Sequence, residues 1–399
     1  MHGKPKQFAI LAYLCNSTSS YFAKEDINME LVFFKDIKDP RVDRTKKYPL
    51  DELIFSALVA IWSGARSWYE IAEFAEDKLQ LLKEFLPFTN GIPSHDTYNR
   101  FFSILPEEEF EKAFISFAEY LIGDSLEGKL INLDGKQMRG ATKASDGIIH
   151  IVAAWCADCK LSLGQVSVDD KSNEITAIPL LLNKLNIKKA EVSIDALGTQ
   201  TEIAKLINDK QGFYLLAVKD NQKSLHDELK ELCCNYKPID VDNEIDSYSG
   251  KVIQRKCEVF KANPKVITTS SRWAGLKQVI KVTCTTTNKA SGETVEDIRY
   301  YIVNSKFDAA HYLASTKNHW SIENDCHWQL DISFNEDETR KTKNSAKNFS
   351  RLLRFALNCV RSVDFGEKRN KSSVKSRCFA LSNSKDLLMK LLYNKAIEK

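Results

Sequence analysis

Apolar residues recur at helical spacing over roughly the first 125 residues and at strand spacing after about residue 128. Leu50 to Gly64 has helical apolar content and ends at a glycine, which predicts a helix. Ser67 to Leu86 places Trp68, Ile71, Phe74, Leu79, Leu82 and Leu86 loosely at helical period, and Pro87 stops it. Pro93-Ser94 then opens a short polar helix with His95, Asp96, Thr97 and Asn99 in its first turns. Two apolar helices followed by a polar one are the pattern of a helix-turn-helix reader, and equally of any small helical bundle.

Lys129 to Asp134 is a short strand that ends in Asp-Gly. Ile148 to Cys156 and Leu161 to Val168 predict a hairpin, with Cys156-Ala-Asp-Cys159 at its turn. A helix over Ser172 to Leu185, a strand over Glu191 to Asp195, a helix over Thr199 to Asp209, a strand over Phe213 to Lys219 and a helix over Gln222 to Cys233 follow. Three meandering strands and then alternating helix and strand predict an α/β mixed sheet with helices on both faces. Ser249 to Ala262, Gln278 to Thr287 and Glu293 to Val303 are rich in Val, Ile, Thr and Tyr and predict a β-rich insertion. Helix returns at Ala309 to Ala314, in the stretch His319 to Asp331 (HWSIENDCHWQLD), and at Asn348 to Val363. The division is a helical N-terminal domain at 1–125 suited to DNA binding, a core in two parts at 126–234 and 306–365, an insertion at 235–305, and a basic C-terminal tail at 366–399.

Composition narrows the classes. With 43% hydrophobic and 28% charged residues, the chain reads as an ordinary globular protein. The apolar run Leu53 to Trp62 is too short to span a bilayer, and residues 1–20 lack the pattern of a signal peptide, so a cytoplasmic protein without a membrane partner is expected. Ten scattered cysteines then read as reduced thiols. Cys156, Cys159 and the pair Cys233-Cys234 lack repeated spacing or a neighbouring His, so a hairpin turn is the simpler reading than zinc. Charge changes the picture more. From Glu338 to Lys399, 16 Lys and Arg face 5 Asp and Glu, a local +11 in a chain of net +3, so the remainder carries −8. A basic segment of this kind fits a polyanion such as DNA, or a solvated helical surface.

Two strands end in an acid, Ile-Asn-Leu-Asp134-Gly and Val-Ser-Ile-Asp195-Ala, at the edge where open α/β sheets place their ligands. Glu323 adds a third carboxylate among large aromatics on a later helix. Such a set suits a hard cation such as Mg²⁺, which takes oxygen ligands and retains waters. His319, Glu323 and His327 also recur every four residues, which leaves a zinc hydrolase open, although the order is not HExxH.

The motifs Ile131-Asn-Leu-Asp134-Gly-Lys-Gln-Met-Arg-Gly140, Lys171-Ser-Asn-Glu-Ile175, Ser193-Ile-Asp195-Ala-Leu-Gly-Thr-Gln200, Lys219-Asp-Asn-Gln222 and His319 to Asp331 with Phe334-Asn-Glu-Asp337 run in one order over roughly 130–362. Together they resemble the DDE transposases of bacterial insertion sequences, in the branch that includes the H-repeat-associated proteins. Asp39-Pro-Arg41, Tyr48-Pro-Leu50 and Pro93-Ser94 fit the same resemblance. It implies a ribonuclease H-like mixed sheet interrupted by a β-rich insertion, with Asp134, Asp195 and Glu323 as catalytic and metal-binding acids. It implies two Mg²⁺ ions, with Mn²⁺ able to substitute, cleavage of double-stranded DNA at terminal inverted repeats, strand transfer into target DNA, and a homodimer or higher assembly on DNA. Lys136, Arg139, Lys219 and Arg340 are candidates for phosphate contacts, and Asn221, Lys317 and Asn324 join them as DNA-binding positions. Trp320 and Trp328 are expected to pack the helix onto the sheet, leaving His319 and His327 nearer the surface; stacking on an unpaired base is the alternative. Lys317 stands where an Arg is usual, Asp220 where a Gly is usual, and about 28 residues precede the usual start. These departures leave open a decayed or domesticated DNA-binding copy without activity, and a nuclease that cuts but does not join strands is a further reading.

Overall fold

The computed structural model describes residues 33–123, 125–140, 149–168 and 174–392. The expectations for residues 1–20 and for Lys171 to Asn173 lie outside them. Helix α1 (Leu50–Trp62) follows Pro49 and is buried on every side from Leu53 to Trp62, as a helix apolar all round must be. Helix α2 (Trp68–Asp77) is capped by the Ser67 hydroxyl, which accepts from the Glu70 N–H. The single helix expected over 67–86 breaks at Lys78 and resumes only as a turn at Leu79–Leu82. Helices α3 (His95–Ile104) and α4 (Glu107–Ile122) follow. The Trp68 ring stacks on Phe102 at 4.7 Å between centroids and meets Phe349 edge-on at 4.9 Å.

The expected hairpin and alternating segment form β1 (Leu130–Gln137), β2 (His150–Cys156), β3 (Leu161–Val168), α5 (Glu174–Lys184), β4 (Glu191–Ile194), α6 (Thr201–Asp209), β5 (Phe213–Val218) and α7 (Lys223–Asn235). The insertion adds β6 (Asp240–Tyr248), β7 (Lys251–Lys261), β8 (Gln278–Asn288) and β9 (Thr294–Val303). All nine belong to one sheet, in the order β3-β2-β1-β4-β5-β9-β8-β7-β6. Strand β1 pairs antiparallel with β2 and parallel with β4, and β4 pairs parallel with β5. Strand β9 pairs antiparallel with β5 through Leu215↔Val303, so the insertion extends the core sheet rather than standing apart from it.

Ile131, Leu133, Val192 and Ile194 face one way, onto Ala177, Ile178 and Leu181 of α5 and Ile203 and Ala204 of α6. Alternation along the strands sends Asn132, Asp134, Lys136 and Ser193 to the opposite face. That face is covered by helix α8 (Ala309–Asn318), a π-helical turn (Ile322–His327), helix α9 (Trp328–Phe334) and helix α10 (Lys343–Ser362). Helices α11 (Val374–Asn383) and α12 (Lys385–Leu392) close the chain.

One apolar core joins Phe34, Leu58 and Phe110 to Ile322, Leu353 and Leu391, so packing is continuous across residue 125. Of the segment expected as a basic tail, the described residues 366–392 are largely helical, and Val374, Cys378, Leu381, Leu388 and Leu391 are buried in that same core.

Helix α10 makes long-range polar contacts. Arg351 donates to Glu111 Oε2 at 2.6 Å and Glu107 Oε2 at 3.0 Å. Arg354, fully buried, donates to Glu336 Oε1 at 2.7 Å, and Lys136 of β1 donates to Glu336 Oε2 at 2.9 Å and to Asp331. Burial alone would raise the Glu336 carboxyl; Arg354 and Lys136 outweigh it and hold the group well below the usual carboxylate range. A depressed folded-state pKa contributes stability above the ordinary Glu value, about 4.3, and loses it as pH falls through the folded-state value. Glu336→Gln, which strips Arg354 of its bonded carboxylate, is therefore expected to cost about 3–5 kcal/mol in urea unfolding at pH 7. The gap between the variant and the parent chain should narrow as the pH is lowered below 4; a gap that stays constant would remove Glu336 ionisation as the cause.

Candidate active site

The register of the parallel pair sets the site. Asn132 lies opposite Ser193 and Leu133 opposite Ile194, and the next residue on each strand is an acid, Asp134 and Asp195. Both carboxylates thus leave neighbouring strands at the same level, at the sheet edge favoured for ligands. Asp195 also accepts from the Gly198 N–H at 3.1 Å, which ties it to the turn before α6.

The third acid comes from the segment that crosses beneath. Asn132 Nδ2 donates to Asn318 O at 2.8 Å and Ser321 Oγ at 3.1 Å, His319 bonds the Ser193 hydroxyl, His327 Nδ1 lies 3.4 Å from Asp134 Oδ2, and Lys136 reaches Asp331. In an α-helix each four-residue step overshoots a full turn by about 40°. The wider π turn at Ile322–His327 absorbs this drift and keeps His319, His327 and Asp331 over the strands. That phase reverses one expectation. His327 is 8% exposed and His319 half-buried, while Trp320 is 39% and Trp328 54% exposed. The sheet face beneath is polar, with Asn132, Ser193 and Asp134, so imidazoles find partners there and indoles do not. Trp320 instead lies beneath the Arg299 guanidinium, 4.9 Å from its ring.

Electrostatics singles out the acids. Burial, then the carboxylates of Glu323, Asp195 and Glu174, push the Asp134 carboxyl up to about 7. Burial and Asp195 raise Glu174 as well. The sequence reading quoted Glu174 within a motif but gave it no role. The structure lays its carboxylate over Gly135, where a Cβ would stand 2.0 Å from Oε1. The two histidines bring no charge to offset this: burial holds His319 down at about 4, and burial with Arg354 and Lys136 holds His327 down at about 3. His327 Nε2 has no hydrogen-bond partner.

A cleft of about 370 Å³ opens beside Asp134 and Glu323, lined also by Arg139, His327, Trp328, Asp331 and Asp337. Asp195 and Glu174 stand outside its lining. Among the described residues no three His, Cys, Asp or Glu side chains are already arranged to hold a metal ion. The donor chemistry suits a hard divalent cation nonetheless: the repelling groups are all carboxylates, and Asp134 has no cationic side chain bonded to it.

The remaining candidates separate. Arg139 is exposed and lines the cleft, and Arg340, Lys219, Asn221 and Asn324 are exposed too, with Asn221 Nδ2 donating to Ala196 O. Lys136 is buried and held by Asp331 and Glu336, and Lys317 is paired with Glu244 at 2.6 Å and Asp246 at 3.0 Å. Cys156 and Cys159 sit at the β2–β3 turn, where the Cys159 N–H donates to Cys156 Sγ at 3.4 Å.

With that geometry in place, family comparison defines the class. The chain belongs to the family described as Transposase DDE domain, which matches residues 126–359, and a family described as DDE_Tnp_1-associated matches 31–118. It is a DDE transposase of the bacterial insertion-sequence branch that includes the H-repeat-associated proteins. It is 36% identical to "Putative transposase YncI" of Escherichia coli O157:H7 over 85% of this chain and 89% of that one. It is 33% identical to "H repeat-associated putative transposase YhhI" of Escherichia coli K12 over 81% and 88%. A piggyBac transposase synaptic complex with hairpin DNA, solved by cryo-EM, matches at 10% identity with a TM-score of 0.39, over 94% of this chain and 80% of that one. No helix among the described residues is long and apolar enough to cross a membrane.

Two glycines near the acids separate soft from hard constraints. A Cβ at Gly135 meets only the mobile end of Glu174, whereas at Gly140 it meets the backbone oxygens of Asp337 and Thr339 at 2.5 Å. Gly140→Ala is expected to cost about 1–3 kcal/mol in chemical unfolding, and Gly135→Ala well under that. Equal costs would show that the 337–339 backbone yields as easily as a side chain.

Proposed function

We propose that the chain cleaves DNA at the ends of its insertion sequence and transfers the freed ends into target DNA, with Asp134, Asp195 and Glu323 as the acids that hold the metal. One observation carries the reading: β1 and β4 bring Asp134 and Asp195 to the same level, and Glu323 is close enough to raise the Asp134 carboxyl together with Asp195. Carboxylates gathered without bonded bases are unfavourable by themselves, and a divalent cation reverses that sign. The antiparallel β3-β2-β1 meander continued by parallel β4 and β5 supports the ribonuclease H-like assignment.

Bound Mg²⁺, as a pair of ions that Mn²⁺ can replace, would supply Lewis acidity for in-line attack of water on the phosphodiester. Water's oxygen bonds to phosphorus, the P–O3′ bond breaks, and a 3′-hydroxyl and a 5′-phosphate are left. The 3′-hydroxyl then attacks a target phosphodiester in the same manner, with no covalent enzyme intermediate. Exposed Arg139, Lys219 and Arg340 would contact phosphates, and Trp328, exposed at the cleft, would stack on an unpaired base. Lys136 serves instead to position β1, since Asp331 and Glu336 occupy its ammonium. Two copies on two DNA ends are the assembly this reaction requires.

The test uses purified protein, Mg²⁺ or Mn²⁺, and a labelled duplex carrying the inverted repeats that flank its gene. Metal-dependent nicking at the repeat boundary is expected, reduced at least about 100-fold in Glu323→Ala, in line with loss of about 2.7 kcal/mol or more of transition-state stabilisation. Nicking that survives the substitution would remove Glu323 from the site, and no nicking by the parent chain would remove the activity.

A further inference from the structure

The last helices carry a second surface that the cleft does not use. Phe379 on α11 is 72% exposed, more than any other large hydrophobic side chain among the described residues. Its helical neighbours on the same side are Lys375 at i−4 and Ser382 and Asn383 at i+3 and i+4, all exposed. Immediately before α11, the turn Glu367–Asn370 presents Lys368 and Arg369 to solvent. Lys368, Arg369 and Lys375 have no carboxylate partner among the described residues. Over 367–390 the chain holds 7 Lys and Arg against 2 Asp and Glu.

Burial shows that this face is built rather than frayed. Val374, Cys378 and Leu381 fix the opposite side of α11 in the main core, and Arg377 donates to Val360 O. The helix is therefore held with Phe379 outward. It packs against α9, whose first residue, Trp328, lines the acidic cleft. Helix α11 thus packs on the helix that carries Trp328 of the cleft, while no residue of 367–383 lines the cleft itself.

We propose that the Lys368–Asn383 surface binds duplex DNA outside the cleft, with Lys368, Arg369 and Lys375 on phosphates and Phe379 pressed against the minor groove. Unpaired bases favour a polyanion over an apolar partner. A lone outward aromatic among small polar residues has the form of a wedge between base steps, which a protein-binding helix would surround with further apolar residues. The inference rests on the transposase reading and assigns it a second contact beyond the residues already placed.

The experiment measures binding of the full chain to the inverted-repeat duplex by fluorescence anisotropy across a salt series, without metal so that cleavage is silent. Lys368→Gln/Arg369→Gln/Lys375→Gln should flatten the slope of log K against log salt by about 2 to 3, and Phe379→Ser should weaken binding at least about fivefold. Melting temperatures should stay at parental values. Parental slope and affinity in both variants would overturn the proposal. So would a change from dimer to monomer in light scattering without a change in DNA affinity, which would assign the face to a second copy of the chain. If the parent chain binds no inverted-repeat DNA at all, the transposase reading fails, and the proposal fails with it.

Discussion

Helix α10 is the constraint on which the architecture depends. Arg351 and Arg354 are three residues apart on its buried side, and each is satisfied by a different part of the chain: Arg351 by Glu107 and Glu111 of α4, Arg354 by Glu336, which also holds Lys136 of β1. A buried guanidinium without its carboxylate costs several kcal/mol, so α10 can dock only when both partners are in place. Asn348 donates to Phe102 O and Leu105 O, and Asn358 exchanges two hydrogen bonds with the Ser162 backbone on β3. The N-terminal helices, the sheet and the C-terminal helices therefore share polar contacts as well as one apolar core, across the position near residue 125 where the element type changes.

The same network separates two kinds of acid. Glu336 is fully buried yet held well ionised, because Arg354 and Lys136 outweigh the burial. Asp134 is buried less completely and is nonetheless pushed up to about 7, first by that burial and then by neighbouring carboxylates, with no base to outweigh them. Structural acids are given charged bases; Asp134, within β1, and Asp195, just after β4, are not. Perturbation of that unbalanced kind is what a site that awaits a cation looks like, and it is visible without any ligand. Lys136 lies two residues from Asp134 on the same face of β1, but Asp331 and Glu336 engage its ammonium, so its charge serves the structural network.

What the sequence made legible follows the strength of its periodicity. Strand β4 with the acid that follows it, the β2–β3 hairpin and three insertion strands could be read because β-branched alternation and turn residues bound them, whereas β1 runs three residues past Asp134, where the strand was expected to end. Strand β6 could not: Asp240, Asp242, Glu244 and Asp246 occupy every second position, and an edge strand needs no apolar face. Helices α11 and α12 were hidden by net charge, which counts lysines and misses that Val374, Cys378, Leu381 and Leu388 share a buried side. The inversion of His319 and His327 against Trp320 and Trp328 was out of reach, since a π turn changes the phase without changing composition. Glu174 carried a motif but no indication that Gly135, lacking a side chain, leaves room for its carboxylate.

The insertion bears on the third acid through α8, which leads directly into the π turn carrying Glu323. Helix α8 packs across β6 and β7, its first N–H, that of Ala309, bonded to Asp240 and its last turn held by Lys317 to Glu244 and Asp246. Asp246 also accepts from Arg255 of β7 at 2.6 Å. This explains how a lysine can stand where the family usually has an arginine. The guanidinium fork matters where one planar anion must be gripped by two parallel bonds, whereas here one ammonium is shared between two separate carboxylates, an arrangement a point charge serves well. The acidic strand that sequence patterning could not see thus supplies the counter-charge for Lys317, at the junction between the insertion and the segment that carries Glu323.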